Sequence, residues 1–183
     1  MEDKYVCPCG LTCCDCLFYK KEFFDAARTM KRLIDEYRFD VFFGTLSKSE
    51  ASSHIAAHLN RDRTQFTAMF RVFEHMPEFL KVLEGIIAIQ CEQTCREKNS
   101  CSIGGMTHRC EALDCVSRKG LEGCWKCTEY TICDKLAFQR KSYGNTVTEN
   151  LAQLAREGTE SLRPRGNQYY EWQRKLIKAS DAP

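Results

Sequence analysis

The sequence predicts a mainly α-helical scaffold with irregular cysteine-rich metal-binding loops. Apolar residues recur at spacings of three, four and seven throughout a stretch without cysteine, residues 17–90. The strict alternation of apolar and polar residues that is typical of strands is nearly absent. The thirteen cysteines fall into two groups, at 7–16 and 91–133, and thiols this close together are metal ligands or disulfide partners rather than packing residues.

The cysteine-free stretch begins with a predicted helix over 17–41. The apolar face that this helix is expected to bury comprises Phe23, Ala26, Ala27, Met30, Leu33, Ile34, Tyr37 and Val41. Gly44 is expected to break the chain after it. Ser47 and Glu50 then have the spacing of a capping box, which predicts a second helix ending near Asn60.

Four more helices follow in the prediction. Phe66, Met69, Phe70 and Phe73 mark one of them. The next has Pro77 in its first turn, where a missing amide costs nothing, and it leads to Cys91. After the second cysteine group, Thr146 and Glu149 repeat the capping-box spacing, and their helix is expected to stop at Gly158. A last helix is expected from Gln168 to Ala179.

By length the chain is expected to be one domain, residues 1–183. Within it the cysteine-rich metal-binding part comprises 1–16 and 88–140, the helical segment 17–87 and the C-terminal helices 141–183. A hydrophobic content of 43% is enough for a core that does not depend wholly on metal.

Charge and hydropathy argue against a nucleic-acid-binding protein, without excluding one, and against a membrane protein. A net charge of +2 gives no global basic field for nucleic acid or anionic membrane, and no apolar run approaches the ~20 residues of a membrane span. The basic and aromatic residues of the C-terminal region are expected to form a solvated helix rather than a nucleic-acid surface; they are Arg163, Arg165, Tyr169, Tyr170, Trp172, Arg174, Lys175 and Lys178.

The sequence begins Met1-Glu2-Asp3-Lys4-Tyr5 and shows no basic n-region, no apolar h-region and no small-residue cleavage site of a signal peptide, so we expect a cytoplasmic protein. Disulfides are uncommon in a reducing compartment, and an odd number of cysteines leaves one unpaired in any case. Both observations favour metal ligation over a disulfide framework.

The cysteine spacing predicts metal sites but leaves their number open. Cys13-x-x-Cys16 and Cys124-x-x-Cys127 are C-x-x-C knuckles, in which one tight turn supplies two ligands. The predicted metal ligands are Cys9, Cys13, Cys16, Cys91, Cys95, Cys101, Cys110, Cys115, Cys124, Cys127 and Cys133. Zinc is the preferred metal, and an iron–sulfur cluster, which thiolates also hold, is the alternative. Trp125 and Tyr130 are expected to shield the sulfurs from water.

Cys7 and Cys14 are the cysteines that we expect to be free thiols rather than metal ligands. Either one is also a candidate for the activated thiol of a thiol-dependent enzyme. His108 is placed to complete a site of three cysteines and one histidine. His54 and His58 are four residues apart but lack the Glu of an H-E-x-x-H motif, so we expect ordinary surface histidines. No serine nucleophile elbow and no recognisable carboxylate pair is present, and no catalytic residue is predicted.

The N-terminal Cys9-Gly10-Leu11-Thr12-Cys13-Cys14-Asp15-Cys16 and a downstream run of cysteines around a basic loop carry a resemblance. They are similar to the Cys-Gly-Leu-x-Cys-x-x-Cys motif and later cysteines of an uncharacterised prokaryotic family, a domain of unknown function to which zinc binding is ascribed. The similarity covers residues 5–20 and about 88–160. It implies metal binding and brings no known activity.

The sequence therefore predicts a cytoplasmic protein with structural zinc that acts as a binding or adaptor module for a protein partner. The first alternative is an iron–sulfur protein that transfers electrons or senses redox state. The second alternative is the thiol-dependent enzyme.

Overall fold

The computed structural model describes residues 1–101 and 109–174, and in these ranges the chain consists of α-helices joined by loops and short 3-10 turns. Neither range contains a β-strand, and an isolated antiparallel bridge joins Val6 to Thr12. The mainly α-helical fold predicted from the sequence is confirmed. No helix in the described ranges has both the length and the apolar character needed to cross a lipid bilayer.

The chain divides into two compact units. The first, here called the cysteine unit, comprises Met1–Lys20 and Ile89–Pro183. The second, the helical unit, comprises Lys21–Ala88. All thirteen cysteines belong to the cysteine unit, and none of them forms a disulfide.

The helical unit contains α1 (Lys21–Tyr37), α2 (Phe39–Leu46), α3 (Ser49–His58), α4 (Arg63–Arg71) and α5 (Met76–Ala88). Helices α1 and α5 pack together, and so do α3 and α4. The core of the unit comprises Ala27, Ile34 and Leu83, with Leu80, Ile86 and Ile87 packed against it. Pro77 lies in the first turn of α5, as predicted.

Two helix boundaries in this unit differ from the prediction. The break between α1 and α2 falls at Arg38, whose φ of 53° is left-handed, whereas Gly44 lies inside α2. The Ser47–Glu50 capping box does not form, because the Ser47 hydroxyl donates to the Gly44 carbonyl and the N-cap of α3 is Lys48. Both predictions relied on a local pattern, a glycine and a Ser-x-x-Glu spacing, and each of these residues takes another role in the structure.

The buried face of α1 agrees with the predicted one only in part, at Ala27 and Ile34. Phe24, Ala27 and Ile34 are buried, whereas Phe23 is 55% exposed and Met30 and Tyr37 are exposed as well. The two faces are adjacent on the helix, and the helical period alone does not separate them.

The cysteine unit contains α6 (Cys95–Lys98), α7 (Glu111–Lys119), α8 (Ala137–Tyr143) and α9 (Asn145–Glu157). Helix α9 supplies Val147, Leu151 and Leu154 to the core, and it ends at Gly158 as predicted, with a φ of 76°. The predicted capping box at Thr146 does not form: α9 starts at Asn145, and the Thr146 hydroxyl donates to the Tyr169 carbonyl. Of the last helix predicted from Gln168, residues 171–174 are helical, whereas Gln168 ends the 3-10 turn Gly166–Gln168 and residues 169–170 are not helical. Residues 175–179 of that prediction lie outside the described residues.

The N-terminal segment is held inside the cysteine unit by hydrogen bonds from distant parts of the chain. The Tyr169 hydroxyl accepts from the Thr12 amide at 3.0 Å, and the Asn150 side chain donates to the Gly10 carbonyl at 2.8 Å. Asp15, only 1% exposed, accepts from the Thr12 hydroxyl and from the amides of Arg165 and Gly166. The later chain thus fixes the backbone that carries the first cysteine group.

Candidate metal centre

The chain makes a tight turn between Cys7 and Leu11. The Cys7 amide donates to the Leu11 carbonyl at 2.8 Å, and the Gly10 amide donates to the Cys7 carbonyl at 2.9 Å. Gly10 has a φ of 83°, in the left-handed region that favours glycine. A Cβ atom at this position would also meet buried Leu151 at 2.8 Å. The glycine of the Cys-Gly-Leu sequence is therefore required by both the turn and the packing.

Three thiols meet beside this turn. The sulfurs of Cys7, Cys13 and Cys95 all lie within 4.8 Å of one another, and those of Cys7 and Cys13 are 3.4 Å apart. We call this group the thiol trio. Cys95 is the first residue of α6, which begins with a complete capping box made by Thr94 and Glu97. The trio has the ligand type and the spacing to hold a metal ion.

The protonation of these thiols is shared among them. Hydrogen bonds from the Cys7 and Cys95 thiols lower the pKa of Cys13 to about 3, and nearby Arg96 contributes to this lowering. The same contacts with Cys13 raise the pKa of Cys7 and of Cys95. A hydrogen bond from Cys7 lowers the pKa of buried Cys9, so a fourth thiol adjoins the trio.

A cavity of about 560 Å³ opens beside the trio. Its walls include aromatic side chains such as Tyr19, Phe138 and Tyr143. The cysteines that line it are Cys7, Cys9, Cys13, Cys16, Cys91, Cys95, Cys101 and Cys110. Burial raises the pKa of Cys101 to about 12, which is the expected effect of a low-dielectric wall on a thiol.

Four further cysteines line a second, smaller cavity of about 70 Å³ in the same unit. We call Cys115, Cys124, Cys127 and Cys133 the thiol quartet. The structure thus distributes the eleven predicted ligands over two cavities. Whether each of the eleven binds metal stays a prediction.

Cys14 lines neither cavity, and its thiol contacts the Met1 sulfur at 3.8 Å. Burial raises the pKa of Cys14, and that of Cys7 is raised as well. A nucleophilic thiol needs a lowered pKa, because the thiolate is the reactive form. For Cys14 the change in pKa is opposite to the one that activates a thiol.

Arg96 connects the two cysteine groups. Its guanidinium donates to the Val6 carbonyl at 2.6 Å and to the Glu122 carbonyl at 3.0 Å. The same guanidinium lies 5.8 Å from the ring centre of Trp125, which is buried in the core of the cysteine unit. Tyr130 is half-buried and lines the cavity of the thiol quartet, the position expected for a shielding residue.

Other sequence-predicted candidates do not join these sites. His54 and His58 are exposed on α3 and belong to no group of three or more potential ligands in the described ranges. His108 lies outside the described residues. In the C-terminal region, Arg165 pairs with Asn150 and Glu149, and Arg174 donates to the Tyr143 carbonyl.

Sequence reasoning missed three contributors to these sites: Cys7, Arg96 and Lys119, whose ammonium lies 3.7 Å from the Cys127 sulfur. The signal for Cys7 was its place in Cys7-Pro-Cys9-Gly10, where the glycine allows a turn. The roles of Arg96 and Lys119 depend on contacts that leave no local pattern.

Residues 5–138 match the family described as "Protein of unknown function (DUF3795)". The chain belongs to the DUF3795 family. The matched residues include all thirteen cysteines, so the trio and the quartet both lie within the part of the chain that the DUF3795 family shares. No curated protein and no solved structure matches the chain.

Proposed function

We propose that this protein binds zinc at the thiol trio and that the zinc holds the N-terminal turn to α6. One observation carries the proposal: the sulfurs of Cys7, Cys13 and Cys95 all lie within 4.8 Å of one another. Thiolates that share a tetrahedral zinc ion at ~2.3 Å lie about 3.8 Å apart. No other group of three or more His, Cys, Asp or Glu side chains in residues 1–101 and 109–174 is this compact.

Cys9, whose sulfur lies outside the group of three within 4.8 Å, is the fourth ligand of the proposed site and would reach the ion by a side-chain rotation. Its thiol adjoins that of Cys7, it is buried, and it comes from the same turn. Four thiolates on one zinc ion leave a net charge of two minus, and the Arg96 guanidinium near Cys13 offsets part of it.

The proposed role of this zinc is structural. A site closed by four protein ligands has no open position for a substrate or a catalytic water. Cys95 is far from the other ligands along the chain, so its metal bond fixes a long-range contact. The free energy of metal binding would therefore contribute directly to folding of the cysteine unit.

We further propose that the protein is a cytoplasmic adaptor that binds a protein partner through its helical unit. Large apolar side chains of this unit are exposed, among them Phe42, Met69, Val72 and Val82. Exposed apolar surface is typical of protein interaction sites. The test is a double variant, Phe42→Glu with Val72→Glu, whose helix content is the same as that of the wild type. The supporting result would be a partner that copurifies with the wild-type protein but not with this variant.

Zinc content tests the central proposal. The wild-type protein, purified without oxygen or chelator, is expected to contain zinc, and Cys13→Ser and Cys95→Ser are each expected to lose one zinc ion per chain. Cys14→Ser is the matched control, because Cys14 is adjacent to Cys13 but lines neither cavity. Equal zinc content in Cys13→Ser and Cys14→Ser would refute the site.

A further inference from the structure

The four cysteines of the thiol quartet come from three short elements of the cysteine unit. Cys115 lies on α7, Cys124 begins the 3-10 turn Cys124–Lys126, Cys127 caps that turn, and Cys133 is the N-cap of the turn Asp134–Leu136. These three elements enclose a cavity of about 70 Å³. The four ligands thus come from separate backbone positions around a common space.

The sulfurs of the quartet are more widely spaced than those of the trio. No three of them lie within 4.8 Å of one another, although all four residues are in the described part of the chain. Four thiolates on one zinc ion would lie about 3.8 Å apart. The cavity of about 70 Å³ has room for more than one atom, because one water-sized sphere requires only ~10–15 Å³.

An iron–sulfur cluster fits both observations. Each of its four thiolates binds an iron atom of a polynuclear core, so the cysteine sulfurs are held farther apart than around one ion. We propose that Cys115, Cys124, Cys127 and Cys133 bind an iron–sulfur cluster. This site goes beyond the proposed structural zinc and does not depend on it, because the two sites share no ligand.

The surroundings of the quartet suit a cluster with negative charge. The Lys119 ammonium lies within hydrogen-bonding distance of the Cys127 sulfur, at 3.7 Å. Ala112, Val116, Leu121 and Leu136 form the apolar part of the wall, and Glu129, Tyr130 and Lys135 complete it. The Glu129 carboxylate also lies 3.8 Å from the Lys119 ammonium and offsets part of its charge. Hydrogen bonds to sulfur and exclusion of solvent are the features by which a protein sets a cluster's reduction potential.

Lys119 is therefore assigned as a residue that tunes the potential of the cluster. Its positive charge stabilises the reduced, more negative cluster relative to the oxidised one. Lys119→Met should keep the cluster and shift its midpoint potential to more negative values. Lys126→Met is the control, because Lys126 is a neighbouring lysine that does not line the cavity.

The test is anaerobic reconstitution with ferrous iron and sulfide, followed by iron and acid-labile sulfide analysis and an absorption spectrum. The wild-type protein is expected to take up one cluster per chain, with a broad band near ~400 nm that bleaches on reduction. Cys124→Ser and Cys127→Ser should lose the iron and the band. Cys13→Ser should retain them, which separates this site from the zinc site.

Two results would overturn the proposal. One is iron uptake by Cys124→Ser and Cys127→Ser equal to that of the wild type. The other is a wild-type protein that takes up no iron and binds a second zinc ion which Cys124→Ser loses. Because a cysteine variant can fail to fold, the midpoint potential of Lys119→Met gives an independent readout, and an unchanged potential would contradict the assignment of Lys119.

Discussion

The sulfur atoms of Cys7 and Cys13 lie 3.4 Å apart, on either side of a turn that contains Gly10. The turn brings two ligands of the proposed zinc site together, and α6 brings Cys95 to them. The local sequence thus sets up part of the site, and the tertiary fold completes it.

Gly10→Ala is expected to destabilise the protein. The alanine must adopt a φ of 83°, and its Cβ would meet the Leu151 side chain, which is buried and cannot move away freely. Left-handed backbone and overpacking together suggest a loss of about 2–4 kcal/mol. Urea unfolding of the metal-loaded protein measures the change.

The matched control is Gly85→Ala. Gly85 lies in α5 and nothing is within 4 Å of the added Cβ. Alanine is the better helix former, so this variant should be as stable as the wild type or more so. If the two variants had the same stability, the proposed role of Gly10 would be wrong.

Asp15→Asn tests the anchoring of the N-terminal segment. The buried carboxylate accepts from the Thr12 hydroxyl and from the amides of Arg165 and Gly166. An asparagine has only one acceptor oxygen, and its NH₂ group would face donors. We expect a loss of about 3 kcal/mol in the free energy of unfolding.

Asp35→Asn is the control for Asp15, because Asp35 is an exposed residue of α1 that pairs with Lys31. Exposed pairs contribute about 0–1 kcal/mol, so this variant should lie close to the wild type. A loss for Asp15→Asn no larger than that for Asp35→Asn would show that the carboxylate is not a structural anchor.

Replacing Arg96 by lysine should weaken the connection between the two cysteine groups. Lysine keeps the charge, but its single ammonium lacks the guanidinium fork that reaches both the Val6 and the Glu122 carbonyls. Loss of one charged hydrogen bond predicts about 1.5–3 kcal/mol of destabilisation.

Arg32→Lys provides the comparison, since Arg32 is exposed on α1 and pairs with Glu36. Its effect should be within about 0.5 kcal/mol. Denaturant unfolding followed by tryptophan fluorescence gives the free energy of unfolding of both variants. An equal loss in the two would show that Arg96 does not connect the two cysteine groups.

Alkylation should distinguish the proposed zinc ligands from the thiol outside both cavities. With zinc bound, Cys7, Cys9, Cys13 and Cys95 are expected to resist iodoacetamide, because their thiolates are held by the metal. Removal of zinc by a chelator should expose all four, whereas Cys14 should react at a similar rate in both states.

Peptide mass spectrometry at timed intervals gives the rate for each cysteine. Cys14 is the internal control, since its sequence neighbour Cys13 belongs to the trio. Equal alkylation of the four proposed ligands before and after chelation would exclude them as zinc ligands.

The sequence predicted the positions of the helices better than their buried faces. Phe66, Phe70 and Phe73 correctly marked a helical region, and Pro77 marked the start of α5. The buried face of α1 was misjudged by one position, at Phe23 instead of Phe24, because both residues are apolar and only tertiary packing selects between them.

The capping boxes show why local motifs fail. Ser47 and Thr146 have the required spacing, but their hydroxyls donate to the Gly44 and Tyr169 carbonyls. The capping box that does form, at Thr94, begins the four-residue helix α6, which is too short for a periodic pattern to reveal. Side-chain hydroxyls compete among several backbone partners, and the sequence does not say which one wins.

The cysteine spacing indicated metal but not the grouping. Cys7 was set aside in favour of Cys9, although the structure brings Cys7 into the trio. Cys95 reaches the trio through a contact across more than 80 positions of the chain, and no spacing rule reports such a contact. The grouping depends on tertiary structure.

The most direct measurement is X-ray absorption at the zinc edge of the protein purified without added metal. The proposed trio with Cys9 predicts four sulfur neighbours at ~2.3 Å from each zinc ion. Nitrogen or oxygen ligands in the zinc shell would contradict the central claim. So would a Cys13→Ser variant with the same zinc content and the same number of sulfur neighbours as the wild type.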